Sequence, residues 1–181
     1  MVVILLGTGF EEAEALVPAD LLRRAGVEVA LTGLTGLQVT GGHGITVLAD
    51  RTISQVDEGK TELVMLPGGL GGVDAILACP QALELVKNVC AAGGRVAAIC
   101  AAPTILGKLG LLEGRRAVCY PGMEDGLTGA IPQPGTPVVE DGNILTGEAA
   151  GSAFVFGLRL VEALKGKEAA QAIAHGIHYH G

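Results

Sequence analysis

Three short apolar runs limit what this chain can become. Val2–Leu6, Leu63–Leu66 and the run from Val96 to Ile99 are apolar without alternation, the pattern of strands covered on both faces. Each is cut off abruptly, by Gly7-Thr8-Gly9, by Pro67-Gly68-Gly69 and by Cys100. Amphipathic segments lie between them: Glu11–Ala25, closed by Gly26, and Gln81–Ala92, with Leu83, Val86 and Cys90 on one face. Further strands are expected at Val27–Leu31 and Arg116–Tyr120. Hairpins are expected at Leu37–Leu48, around Gly41-Gly42, and at Val138–Thr146, around Asp141-Gly142. Helices follow at Ala101–Leu109, Ser152–Leu164 and Glu168–His175. Such alternation predicts an α/β fold with helices on both faces of a mostly parallel sheet. At 181 residues, one domain spanning 1–181 is expected. In such folds ligands gather at the carboxyl ends of the strands, where Cys100 falls.

With no Trp and 3% aromatic residues, the core must be built from Val, Leu, Ile and Ala. A net charge of −7 argues against nucleic acid or an anionic membrane as partner, because phosphate binding needs a basic surface. The apolar start lacks a basic lead and is too short for a signal peptide or a membrane span. The four cysteines, Cys79, Cys90, Cys100 and Cys119, form neither a CxxC pair nor a metal spacing, which suits free thiols in a reducing cytoplasm. Neither glycine-rich stretch suits a nucleotide. Glu12 replaces the third glycine of a dinucleotide fingerprint, and the run from Pro67 to Gly72 lacks the Gly-Lys-Ser/Thr ending of a phosphate loop. No cofactor is expected.

Cys100 ends an apolar strand, and the small residues Ala101 and Ala102 precede Pro103. A sharp strand-to-helix turn of this kind resembles a nucleophile elbow, with sulfur in place of a hydroxyl. The following helix would favour the thiolate, making Cys100 the most acidic of the four thiols. A buried structural cysteine also fits the segment. Glu14 shares a helical stripe with Val17, Leu21 and Ala25, which puts a carboxylate on an otherwise apolar face. Burial would keep it protonated, as a donor to a nearby anion such as the Cys100 thiolate. Glu11 and Glu12 read as first-turn acids that complement the helix dipole.

The stretches GFEEAEALVPADLLRRAGVEV, VMLPGG, RVAAICAAPTIL and ILTGEAAGSAFVFGLRLVEALKGKEAA together resemble the ThiJ/PfpI superfamily, on its deglycase branch. The resemblance runs nearly end to end. It implies a flavodoxin-like (class I glutamine amidotransferase-like) three-layer sandwich, a homodimer, and Cys100 as nucleophile or oxidation sensor. It also implies Glu14 as the protonated acid beside the thiol. Gly68, Gly69 and Ala101 lie where backbone amides could form an oxyanion hole.

Some positions depart from the family's pattern. Tyr120 stands where relatives commonly carry a histidine, leaving a possible hydrogen-bond donor to substrate but a poor base. Ala101 replaces the histidine that follows the cysteine in the protease-like branch, and Glu148 stands where many relatives have Arg or Gln. His175, His178 and His180 crowd the C-terminus, where a weak metal site is conceivable, while His43 reads as a surface or interface residue.

Three function classes are compatible with these residues. The first is a glyoxalase- or deglycase-type enzyme, lyase or hydrolase, that acts on small carbonyl compounds, α-oxoaldehydes or their early adducts. The second is a redox sensor whose Cys100 becomes a sulfinate, and the third is a chaperone or interaction protein without turnover. A dimer surface is expected on the first helix, at Leu16, Pro18 and Leu22 beside Asp20 and Arg24.

Overall fold

A computed structural model describes all 181 residues. In chain order the elements are β1 Val2–Leu6, α1 Glu12–Arg24, β2 Val29–Gly33, the hairpin of β3 Gln38–Thr40 with β4 Thr46–Leu48, and β5 Arg51–Thr52. Next come β6 Leu63–Leu66, α2 Leu70–Leu77, α3 Pro80–Ala91, β7 Arg95–Ile99, α4 Pro103–Lys108 and β8 Arg116–Ala117. Then follow β9 Ile131–Pro132, β10 Val138–Asp141, β11 Ile144–Gly147, α5 Ala153–Lys165 and α6 Lys167–Gly176.

Seven strands form the main sheet in the order β10-β11-β7-β6-β1-β2-β5, parallel except for the β10–β11 hairpin. The five central parallel strands follow the flavodoxin order, whose switch point here lies between β1 and β6. Alternation along each strand divides the core into two. Val3, Leu5, Val96 and Ala98 face the layer of α2, α3 and α4. Val2, Ile4, Ala97 and Ile99 face the layer of α1, α5 and α6. The result is the expected α/β sandwich, and the unbroken apolar runs reflect strands covered on both sides.

The structure corrects several details. The second strand lies at Val29–Gly33, two residues later than expected. The helix after Cys100 begins only at Pro103 and spans six residues, so the cysteine does not sit on a long helix dipole. Of Arg116–Tyr120, only Arg116–Ala117 is a strand, and it pairs with β9 outside the main sheet. Its remainder is tied down differently: the Val118 amide donates to Thr146 Oγ1 and the Tyr120 amide to the Cys100 carbonyl. The glycine-rich stretch after Gly69 is a helix, α2, which the sequence reading missed. Its glycines permit close approach, since a Cβ at Gly72 would lie 2.8 Å from the Phe10 Cα.

Of the expected dimer surface on α1, Pro18 and Leu22 are buried by the chain itself, with Gly157 of α5 packed against Pro18 and Leu21, whereas Leu16 is partly exposed and Asp20 and Arg24 are exposed.

Candidate active site

The carboxyl ends of β1, β6 and β7 converge beside the switch point. Cys100 follows β7 directly and has φ of 65°, a left-handed conformation uncommon for a residue with a side chain. Both of its backbone groups are held: its amide donates to the Gly147 carbonyl at 3.0 Å, and its carbonyl accepts from Tyr120 at 2.8 Å. Thr104 Oγ1 donates to the Ala101 carbonyl at 2.8 Å and closes the turn into α4. The main chain thus fixes the sulfur at a strained elbow.

Glu14 reaches this sulfur from α1. It is fully buried, and its Oε2 accepts the Gly68 amide at 2.8 Å. The Cys100 thiol lies close enough to the carboxyl to interact with it, and Oε1 has no hydrogen-bond partner. Burial pushes Glu14 up to about 7, with the charge of Glu11 adding to the rise; the thiol and the Gly68 amide oppose it. Burial, and then the charge and acceptor oxygen of Glu14, push Cys100 up to about 12, while the amides of Ala101 and Gly69 pull it down. This overturns the expectation that Cys100 is the most acidic of the four thiols: burial raises it first, and Glu14 adds to the rise. The two groups titrate as a coupled pair, the carboxyl giving up its proton before the thiol does. Burial, reinforced by Glu124, raises Cys119 to about 11.

The amides divide by role. That of Gly68 is taken by Glu14, so it is not free for a substrate oxygen, whereas those of Gly69 and Ala101 face the sulfur. A cavity of about 370 Å³ opens above Cys100, walled by Leu70, Tyr120, Pro121 and Met123, with Glu11 as its carboxylate. A larger hollow of about 500 Å³ lies among Glu58, Glu62, Asn88 and Arg95 but holds no nucleophile. The smaller cavity is therefore the candidate active site.

Of the other residues singled out, Tyr120 lines the cavity and is half-exposed. Glu148 does not line it, because its carboxylate accepts the Gly135 amide at 3.1 Å. Glu12 is not a simple first-turn acid. Its Oε1 accepts the amides of His43 and Ile45 and its Oε2 meets His43 Nδ1 at 3.0 Å, so it holds the turn of the β3–β4 hairpin. Glu11, Glu12 and His43 are close enough together to hold a metal ion. However, the hydrogen bond to Glu12 and the charges of Glu11 and Glu12 raise the His43 pKa, which favours an imidazolium that cannot ligate. The rings of His175 and His178 lie 6.4 Å apart, with no carboxylate gathered to them. Sequence reading missed Leu70, Pro121 and Met123 as wall residues and Glu11 as a cavity acid. The only signal for Glu11 was its place three residues before Glu14, one helical turn away.

The profile of the DJ-1/PfpI family matches residues 1–163. The chain is 39% identical to the protein dj-1beta of Drosophila melanogaster over 176 residues, covering 96% of this chain and 94% of that protein. The crystal structure of Drosophila DJ-1beta superposes with a TM-score of 0.93, covering 99% of this chain and 98% of the other. A deglycase of Pyrococcus abyssi is 32% identical, over 91% of this chain and 99% of its own length. A glutathione-independent glyoxalase of Caenorhabditis elegans is also 32% identical, over 87% of this chain and 84% of its own.

Proposed function

The chain belongs to the DJ-1/PfpI family, and from that premise we propose that it is a cofactor-independent enzyme converting small α-oxoaldehydes, free or as early adducts, to 2-hydroxy acids. Relatives named deglycase and glyoxalase support the general kind of function. The observation that carries the finer reading is the buried Glu14 carboxyl, which meets the Cys100 thiol with one oxygen still unpartnered. A carboxyl so placed can take the thiol's proton and give it back at the reacting carbon.

With the proton on Glu14, the Cys100 thiolate adds to the aldehyde carbon. A C–S bond forms, and the carbonyl oxygen becomes an alkoxide beside the Gly69 and Ala101 amides. Glu14 passes its proton to that oxygen, which gives a hemithioacetal and leaves Glu14 as a carboxylate. Glu14 then removes the proton from the former aldehyde carbon, and the resulting enediol is reprotonated at the neighbouring carbon to give a 2-hydroxy thioester. Water cleaves the thioester, releasing the acid and restoring the thiol. The net change adds one water, oxidises the aldehyde carbon and reduces the ketone carbon, so no external oxidant is needed. Tyr120, at the cavity wall, donates a hydrogen bond to the substrate.

Methylglyoxal turnover by the wild type, Cys100→Ser and Glu14→Gln, with the chirality of the lactate determined, tests the reading. Cys100→Ser should abolish turnover. Glu14→Gln, which keeps the shape and a donor but loses proton transfer, should lose about 10²–10⁴-fold in rate. Undiminished turnover in Glu14→Gln would refute the mechanism. Peroxide treatment followed by peptide mass analysis addresses the redox alternative: a sulfinate at Cys100 that depends on Glu14, without aldehyde turnover, would favour a sensor.

A further inference from the structure

Building on the reading of Cys100 as the nucleophile, we infer that the cavity selects neutral α-oxoaldehydes with a bulky apolar substituent, aryl or branched alkyl, over three-carbon or anionic ones. The wall comes first. Leu70 is 68% exposed and Tyr120 49% exposed, and with Pro121 and Met123 they leave apolar surface uncovered beside the sulfur. Both exposed residues are bound to the main chain that positions the thiol. Leu70 opens α2 directly after Gly69, and the Tyr120 amide donates to the Cys100 carbonyl. An aldehyde carbon bonded to Sγ therefore holds its substituent against this wall. An aryl ring there removes far more apolar area from water than a methyl group can.

Charge is the second observation. Glu11 is the one carboxylate lining the cavity, and no Arg, Lys or His lines it. His43 Nδ1 lies 3.4 Å from Glu11 but 3.0 Å from Glu12, and it faces the neighbouring hollow with Leu16 and Ile45. A substituent ending in a carboxylate would meet the Glu11 carboxylate, whose own partner His43 lies outside the cavity lining, so the substituent finds like charge and no cation of its own.

The test is kcat/KM of the full chain for phenylglyoxal, methylglyoxal and 4-carboxyphenylglyoxal, with the product acids quantified and the Cys100→Ser background subtracted. Phenylglyoxal should exceed both others by about tenfold. Intrinsic carbonyl reactivity differs among the three, so the decisive quantities are changes in ratio between wild type and variant. Leu70→Ala and Met123→Ala should each lower the phenylglyoxal-to-methylglyoxal ratio by about three- to tenfold, mainly through KM. Glu11→Gln should raise the 4-carboxyphenylglyoxal-to-phenylglyoxal ratio by about fivefold. Because Leu70 is so exposed, its truncation leaves the core intact. Unchanged ratios in all three variants, with turnover preserved, overturn this inference alone. Absence of Cys100-dependent turnover of every aldehyde overturns it together with the nucleophile reading.

Discussion

Gly68 has no side chain because Glu14 and Cys100 occupy the space that one would fill. A methyl there would lie 2.5 Å from Glu14 Oε2 and 2.7 Å from Cys100 Cβ. Gly68→Ala should therefore push the acid and the thiol apart, costing about 1–3 kcal/mol of stability as overpacking does. Calorimetry would measure that cost, and aldehyde turnover should fall by more than the loss of folded protein explains. Glu14 makes a second prediction, in the pH dependence of stability. Its pKa rises from the ordinary 4.5 to about 7 on folding, so the folded state binds more protons between those values. Its contribution is fully present below about pH 4.5 and is lost as pH rises through 7. Glu14→Gln should remove this loss, gaining on the order of 1–3 kcal/mol relative to wild type at pH 8 compared with pH 5. Denaturant melts at the two pH values measure it, and parallel curves would sink the prediction.

At the scale of elements, the β3–β4 hairpin is fastened to α1 through Glu12. Burial pushes this carboxyl up, but the amides and ring that bond it outweigh burial and hold it below the usual range; its contribution is lost as pH falls through the lowered pKa. His43 shifts upward, chiefly through Glu12, so its contribution is full below the ordinary 6.5 and fades as pH rises through the raised value. The hairpin should be held best between about pH 4.5 and 6.5. An NMR titration should place the His43 ring above its ordinary pKa, and Glu12→Gln should lower it toward that value, leaving the part of the rise that Glu11 sustains. Little of this was legible in the sequence, because Glu12 near a helix start already had an adequate local role. What could be read locally was read: the runs at Val2–Leu6, Leu63–Leu66 and Val96–Ile99 announce their strands through unbroken apolarity. Glu14 stood out because it breaks an apolar stripe. By contrast, α2 was hidden, since Leu70-Gly71-Gly72 has poor helix propensity and its glycines answer to Phe10 and Gly9, some sixty residues earlier. Val118–Tyr120 looked like a strand because it is apolar and extended, yet its partners are an elbow carbonyl and a threonine hydroxyl. No periodicity reports contacts of that kind.

On the scale of the whole molecule, the chain's own packing covers Pro18 and Leu22, leaving a shallow hollow bounded by Ala13, Leu16, His43 and Ile45. Ile45 is 55% exposed there. We expect a homodimer that buries this patch. Light scattering should then give twice the 18.2 kDa chain mass, and Ile45→Arg should halve it; a wild-type monomer at micromolar concentration would end the proposal. A different consequence follows from where β7 sits in the sheet. Its neighbours are β6, made earlier in the chain, and β11, made almost fifty residues later, and the Cys100 amide finds its acceptor only in Gly147. On the ribosome, the cysteine is therefore synthesised well before the strand that accepts its amide. Until β11 docks, the Cys100 amide lacks that acceptor and the sulfur is not yet fixed beside Glu14. A chain stalled or truncated before Gly147 should carry the cysteine without the geometry on which the proposed chemistry depends.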